Sequence, residues 1–150
     1  MATQRLTKHN AAVVAAAFAL LKERNADAML LMLDGATDWK RIAEMAEGIE
    51  VPVIVAVDSP EDLEGAEEAG LKPLALNKEK SPLLERLQHA LLEAAADEFI
   101  RTNGEVVAVY SGFQQGRLDS ISHLQLDERM RRLTSRRRNT GSARYRRAPQ

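Results

Sequence analysis

Three short, almost purely apolar runs constrain this chain more than anything else in it. They are "DAMLLMLDG" (Asp27 to Gly35), "VPVIVAVD" (Val51 to Asp58) and "EVVAVYSG" (Glu105 to Gly112), each closed by Gly or Asp. Such a run has no polar face to offer water, so it fits a strand covered on both sides. A shorter run, "LKPLAL" (Leu71 to Leu76), reads the same way. The segments between are helical in pattern. Thr7 to Arg24 is alanine-rich and free of Gly and Pro, with Asn10 as its expected cap. "TDWKRIAEMAEGI" places Trp39, Ile42, Met45 and Ala46 at helical spacing, with Thr37 or Asp38 as cap. "SPEDLEGAEEAG" predicts a third helix, capped by Ser59, started by Pro60 and stopped by Gly70. Ser81 to Gly104 predicts a long fourth helix with a stripe of Leu83, Leu84, Leu87, Leu91, Ala94, Ala95 and Phe99.

The predicted order is α-β-α-β-α-β-α-β-β. Strands alternating with helices imply a three-layer α/β/α domain built on a mostly parallel five-stranded sheet. The last strand, "SISHLQLDE", alternates apolar Ile121, Leu124 and Leu126 with polar residues, as a half-exposed edge strand does. Its short connection to the fourth strand allows only an antiparallel return. The C-terminal edge strand is therefore expected to be antiparallel.

At 150 residues the chain is one domain by length, and 45% hydrophobic with 29% charged residues is ordinary for a globular protein. No Cys is present, which excludes disulfides, thiolate metal sites and a Cys nucleophile, and fits a reducing cytoplasm. The longest apolar run, Ala11 to Leu21, is 11 residues, against about 20 for a membrane span. No secretory signal is expected, because "KERNADA" leads from that run straight into a strand.

The net charge of -1 hides an asymmetry. Up to Glu128, 12 Lys and Arg stand against 22 Asp and Glu, a balance of -10; from Arg129 onward there are 9 Arg and no acid. We therefore expect a folded domain over 1–128 and a basic tail over 129–150. The tail carries no hydrophobic period. It reads as the disordered or truncated start of a following domain, or as an arm in which Arg136, Arg137 and Arg138 contact nucleic acid or another polyanion.

Several stretches together resemble the C-terminal domain of pyruvate kinase. Gly104-Glu105-Val106-Val107 match that family's last parallel strand, Ser111-Gly112-Phe113 its Ser/Thr-Gly-aromatic turn, and Gly116 its second loop glycine. "VPVIVAVDSPEDLEGAEEAGLKPL" resembles its strand-turn-helix-Gly-strand unit. The resemblance covers about Asn10 to Glu128 and implies the fold, but pyruvate kinase catalysis resides in a separate barrel. "ALLEAAADEFIRTNGEVVAVYSGFQQGRLDSISHLQLDE" also resembles the end of the N-terminal module of prokaryotic diadenylate cyclases, just before the cyclase domain. That resemblance implies a non-catalytic regulatory or assembly module acting on a neighbouring catalytic domain or on further copies of itself. The cyclase motif Asp-Gly-Ala does occur at Asp34-Gly35-Ala36, but without its downstream Arg-His-Arg partner.

Relatives of pyruvate kinase that bind a sugar phosphate use the turn after the first strand together with the late glycine-bounded loop. This implies a candidate effector site of Gly35, Thr37, Ser111, Gly112, Gly116 and Arg117. Asp58 and Ser59 join it because they end the second strand, where open α/β sheets take ligands. Against this, Asp34 and Asp38 flank the first turn and repel phosphate, and turn geometry alone explains the loop glycines. A small nucleotide or sugar-phosphate effector, and a nucleic-acid role of the tail, are the competing readings. His9, His89 and His123 stand apart with no metal spacing, Trp39 is expected in the core or an interface, and no catalytic residue, cofactor or metal is expected.

Overall fold

The computed structural model describes residues 6–77 and 81–126. Arg136, Arg137, Arg138 and the rest of the basic tail lie outside the described residues. The elements run α1 (Lys8–Arg24), β1 (Ala28–Met32), α2 (Trp39–Met45), β2 (Val53–Val57), a 3-10 turn (Pro60–Leu63), β3 (Lys72–Ala75), α3 (Leu83–Ala96), β4 (Gly104–Tyr110) and β5 (Ser120–Leu126). The sheet order is β3-β2-β1-β4-β5. All neighbouring pairs are parallel except β4 with β5, which pair antiparallel from Gly104↔Leu126 to Tyr110↔Ser120. The expected three-layer fold and antiparallel edge are both present.

The strand runs are apolar throughout because both faces are covered. Met29 and Leu31 of β1 face Val14, Phe18 and Leu21 of α1 and Trp39 and Ile42 of α2. Ala28, Leu30 and Met32 face Leu87, Ala90, Leu91 and Ala94 of α3. All five residues of β1 are buried, and so are all five of β2. Each large aliphatic side chain so enclosed contributes about 1.5–3 kcal/mol.

Four local expectations are corrected. Thr7, not Asn10, caps α1: its hydroxyl accepts the Asn10 N–H at 3.0 Å. The third helix is only the 3-10 turn Pro60–Leu63, and Ser59 makes no side-chain cap bond. The segment exposes Glu61, Glu64, Glu67 and Glu68 and fully buries only Ala66, so no apolar stripe pulls it into a helix, and Gly65 breaks it at φ +90°. The long helix ends at Ala96, where Glu98 takes a left-handed φ of 64°, and its stripe residue Leu84 is exposed. On β5, Ile121 lies on the opposite face from Leu124 and Leu126 and is exposed.

Candidate functional site

β1 sits in the middle of the sheet with β2 on one side and β4 on the other, so the chain reverses its direction of build-up between β1 and β4. The strand ends splay there, and open α/β sheets bind ligands at such a point. A cavity of about 70 Å³ lies at this place, between the turn after β1, the start of α1 and the β4–β5 loop. Gly35, Thr37, Ser111 and Gly116 line it together, with Thr7, Asn10 and Asp34 beside them. Two turns far apart in sequence therefore converge here. Among the described residues Thr37 is the one buried residue of polar or charged type, with 7% of its surface exposed.

The remaining candidates stand elsewhere. Asp58 forms an ion pair with Arg86 of α3 at 3.0 Å, and both side chains are mostly buried. Ser59 is exposed. Arg117 is exposed at the loop surface, and Gly112 packs so closely that an added Cβ would sit 2.7 Å from Ser120 Oγ.

An anion-binding loop needs free backbone N–H groups. Here the chain's own carboxylates take them. Asp119 accepts from the N–H groups of Gly112 at 2.7 Å, Phe113 at 3.1 Å and Gln114 at 3.1 Å, and from the Ser120 hydroxyl at 2.9 Å. These bonds, that of Gly112 foremost, hold its carboxyl below the ordinary value of 3.8. The N–H of Gly116 donates to Asp34 across the cavity. Asp38 is spent as the cap of α2, accepting from the Arg41 N–H at 3.2 Å.

The start of α1 grips the same loop. Asn10 Oδ1 accepts the Leu118 N–H at 3.0 Å, its Nδ2 donates to the Gly116 carbonyl at 3.4 Å, and His9 Nε2 bonds the Leu118 carbonyl at 2.8 Å. Sequence reasoning missed His9, Asn10 and Asp119 as organisers of this site. The available signal was an Asp just past a glycine-bounded loop, the usual position for a side chain that closes a turn on its own backbone. His123 pairs with Glu105 on the neighbouring strand at 2.8 Å, and Trp39 is core, 5% exposed. Among the described residues no group of three His, Cys, Asp or Glu is placed to hold a metal, and no helix is long and apolar enough to cross a membrane.

Fold and crevice together define a pyruvate kinase C-terminal-like α/β module. Three solved structures of pyruvate kinase from Cryptosporidium parvum share the fold. One is 16% identical with a TM-score of 0.63, over 80% of this chain and 23% of that one. A second is 16% identical with a TM-score of 0.56, over 77% and 22%. The third, in complex with ADP, is 17% identical with a TM-score of 0.61, over 80% and 24%. The chain thus spans about a quarter of the length of these relatives. The model of the family described as the probable sensor domain DacZ_P matches residues 9–134, and the chain belongs to that family. No curated protein matches this sequence.

Proposed function

We propose that the chain is a non-catalytic regulatory and assembly module, with its folded domain over 1–128, serving a diadenylate cyclase domain in the cytoplasm by setting how copies of that domain come together. The observation that carries this is the contrast between the two edges of the sheet. β3 is four residues long and carries Lys72 and Pro73, which blunt it against pairing. β5 is seven residues long, with neither Lys nor Pro, and among the described residues no strand pairs with its outer row of N–H and C=O groups. Its outward-turned face carries Ile121, His123 and Gln125, all exposed.

Proline substitution tests this without disturbing the core. Consecutive residues of an antiparallel strand turn their backbone groups alternately to the two neighbours. Ser122→Pro and His123→Pro therefore remove, in one case, a bond to β4 and, in the other, a donor that faces outward. The outward variant should keep its melting temperature and lose the oligomer in light scattering. A wild-type protein that is monomeric at high concentration defeats the proposal.

The convergence of Gly35, Thr37, Ser111 and Gly116 favours a second reading, a small effector held at the crevice. Asp34 and Asp119 already hold the loop N–H groups, so a phosphate has to displace them, whereas the base or sugar of a nucleotide does not. Thermal shift with ATP, cyclic dinucleotides and sugar bisphosphates tests it, since saturating ligand at 100 times its Kd raises stability by about 2.7 kcal/mol. No rise near millimolar ligand removes this reading.

A further inference from the structure

The tip of the β4–β5 loop presents Phe113 with 92% of its surface in water. A hairpin needs only about 2–5 loop residues, yet residues 111–119 form a longer excursion, and its backbone is fixed. Asp119 holds three successive N–H groups, Gln114 C=O accepts the Arg117 N–H at 3.2 Å, and Asp34 and Asn10 tie Gly116 and Leu118 to the body. An aromatic ring on so rigid a mount loses little freedom when it docks, which suits an interface anchor. Among the exposed loop residues 112–117 Arg117 carries the one charge, beside Phe113; the carboxylates of Asp119 and Asp34 bond loop N–H groups but stay in contact with solvent.

At the other end of the sheet lies a cleft of about 300 Å³, at the starts of β2 and β3. Ala43, Ala46, Ile49, Val51, Ala69 and Leu71 form its apolar walls. That volume is at the lower bound of natural ligand clefts, about 300–1,000 Å³, and admits one aromatic ring. Its surroundings are acidic: Glu50 lines it, and Glu47, Glu67 and Glu68 stand exposed on the flanking segments. Lys72 also lines it, but its ammonium is drawn away, 5.9 Å from the Phe99 ring on the α3 side.

We propose that Phe113 of one copy of this chain inserts into the Ala46–Ala69 cleft of a second copy, with Arg117 meeting the acidic surround. Knob and hole match in chemistry, an aromatic ring with a cation against a cleft that has apolar side chains on its walls and carboxylates around it. Within one molecule they cannot meet, because the loop follows the C-terminal end of β4 while the cleft lies at the N-terminal ends of parallel β2 and β3. The contact is therefore head-to-tail, using different patches on the two partners, and it propagates unless its rotation closes a ring. It is a second interface, independent of any pairing through β5.

Complementary variants test it by sedimentation velocity over a concentration series. Phe113→Ala, at a side chain in water, leaves the fold intact and should weaken head-to-tail association at least about tenfold. Ala46→Trp, checked for native circular dichroism, should do the same by filling the cleft; Glu50→Arg is the electrostatic alternative. Phe113→Ala retains a working cleft and Ala46→Trp a working ring, so their mixture should restore one contact and stop at a discrete pair. The outward β5 proline variant should leave this association untouched, which separates its failure from that of the edge-strand reading. If Phe113→Ala associates like the wild type, or the two variants fail to complement, the proposal is wrong.

Discussion

Gly104 opens β4 at a place where the chain has no room for a methyl group. A Cβ there would stand 2.9 Å from the Arg101 carbonyl oxygen, 3.2 Å from Ile100 Cγ2 and 3.3 Å from Arg101 Cγ. The first neighbour is backbone and cannot swing aside. The same oxygen accepts the Gly104 N–H at 2.9 Å, so relief of the clash opens the turn that this bond closes. Overpacking costs about 1–3 kcal/mol and the lost bond about 1 kcal/mol. The smaller entropy of the unfolded Ala chain returns about 0.4–1 kcal/mol. Gly104→Ala should therefore destabilise by about 2 kcal/mol, which for a domain of this size lowers Tm by roughly 8 °C. Damage should spread to the end of β5, because the adjacent Asn103 N–H bonds the Leu126 carbonyl at 2.7 Å. Urea and thermal unfolding followed by circular dichroism measure the loss, and amide exchange at Asn103 its spread. Gly48→Ala is the comparison: its φ is +88° with nothing within 4 Å of the added Cβ, so it carries only the left-handed backbone cost of about 1–2 kcal/mol. A Gly104→Ala protein within about 0.5 kcal/mol of wild type refutes the steric reasoning.

Three further perturbations probe the crevice. Asp119 has a lowered folded-state pKa, so it favours the folded loop above its ordinary value of 3.8 and loses that effect as pH falls through the lowered value. Amides of Gly112, Phe113 and Gln114 should stay protected from neutral pH down to about that value and, over the same range, exchange faster in Asp119→Asn; equal protection in the two proteins at neutral pH contradicts the assignment. Asn10→Ala removes the acceptor for Leu118 N–H and the donor to Gly116, and should cost about 1–2 kcal/mol in urea unfolding while leaving the capped helix start at Thr7 intact by circular dichroism. Arg86→Met leaves Asp58 without its guanidinium, and should cost about 2 kcal/mol, below the 3–5 typical of a fully buried pair because both groups retain some solvent. Arg86→Met/Asp58→Asn should recover part of that loss in a double-mutant cycle.

Strands and topology were legible because β1, β2 and β4 need apolar residues on both faces, and that demand leaves an unbroken run in the sequence. The third helix misled because Ser59-Pro60 and a first turn of acids imitate a helix start, whereas helix survival depends on a buried stripe the segment lacks. The end of α3 was hidden because Glu98 adopts the left-handed conformation that Gly or Asn usually takes past a helix end. Ile121 was placed by hydrophobicity rather than by parity, and strand parity put it outward. At the crevice, the convergence of Gly35 with Ser111 and Gly116 could be anticipated from strand order. The partners of Asn10 and Asp34 could not, since they lie 108 and 82 residues away and nothing local in an Asn or Asp names a distant N–H.

Those same long reaches bear on how the module is made. Central β1 emerges early from the ribosome, but one of its two flanks is β4, at residues 104–110, and the bonds that clamp the start of α1 wait for Gly116 and Leu118. A nascent chain shorter than this carries β1 with an open side and α1 with nothing to grip. Contacts of such sequence separation form slowly, after the intervening loop has been closed. The domain therefore has no stable half, and it should fold in one late step once β5 clears the exit tunnel.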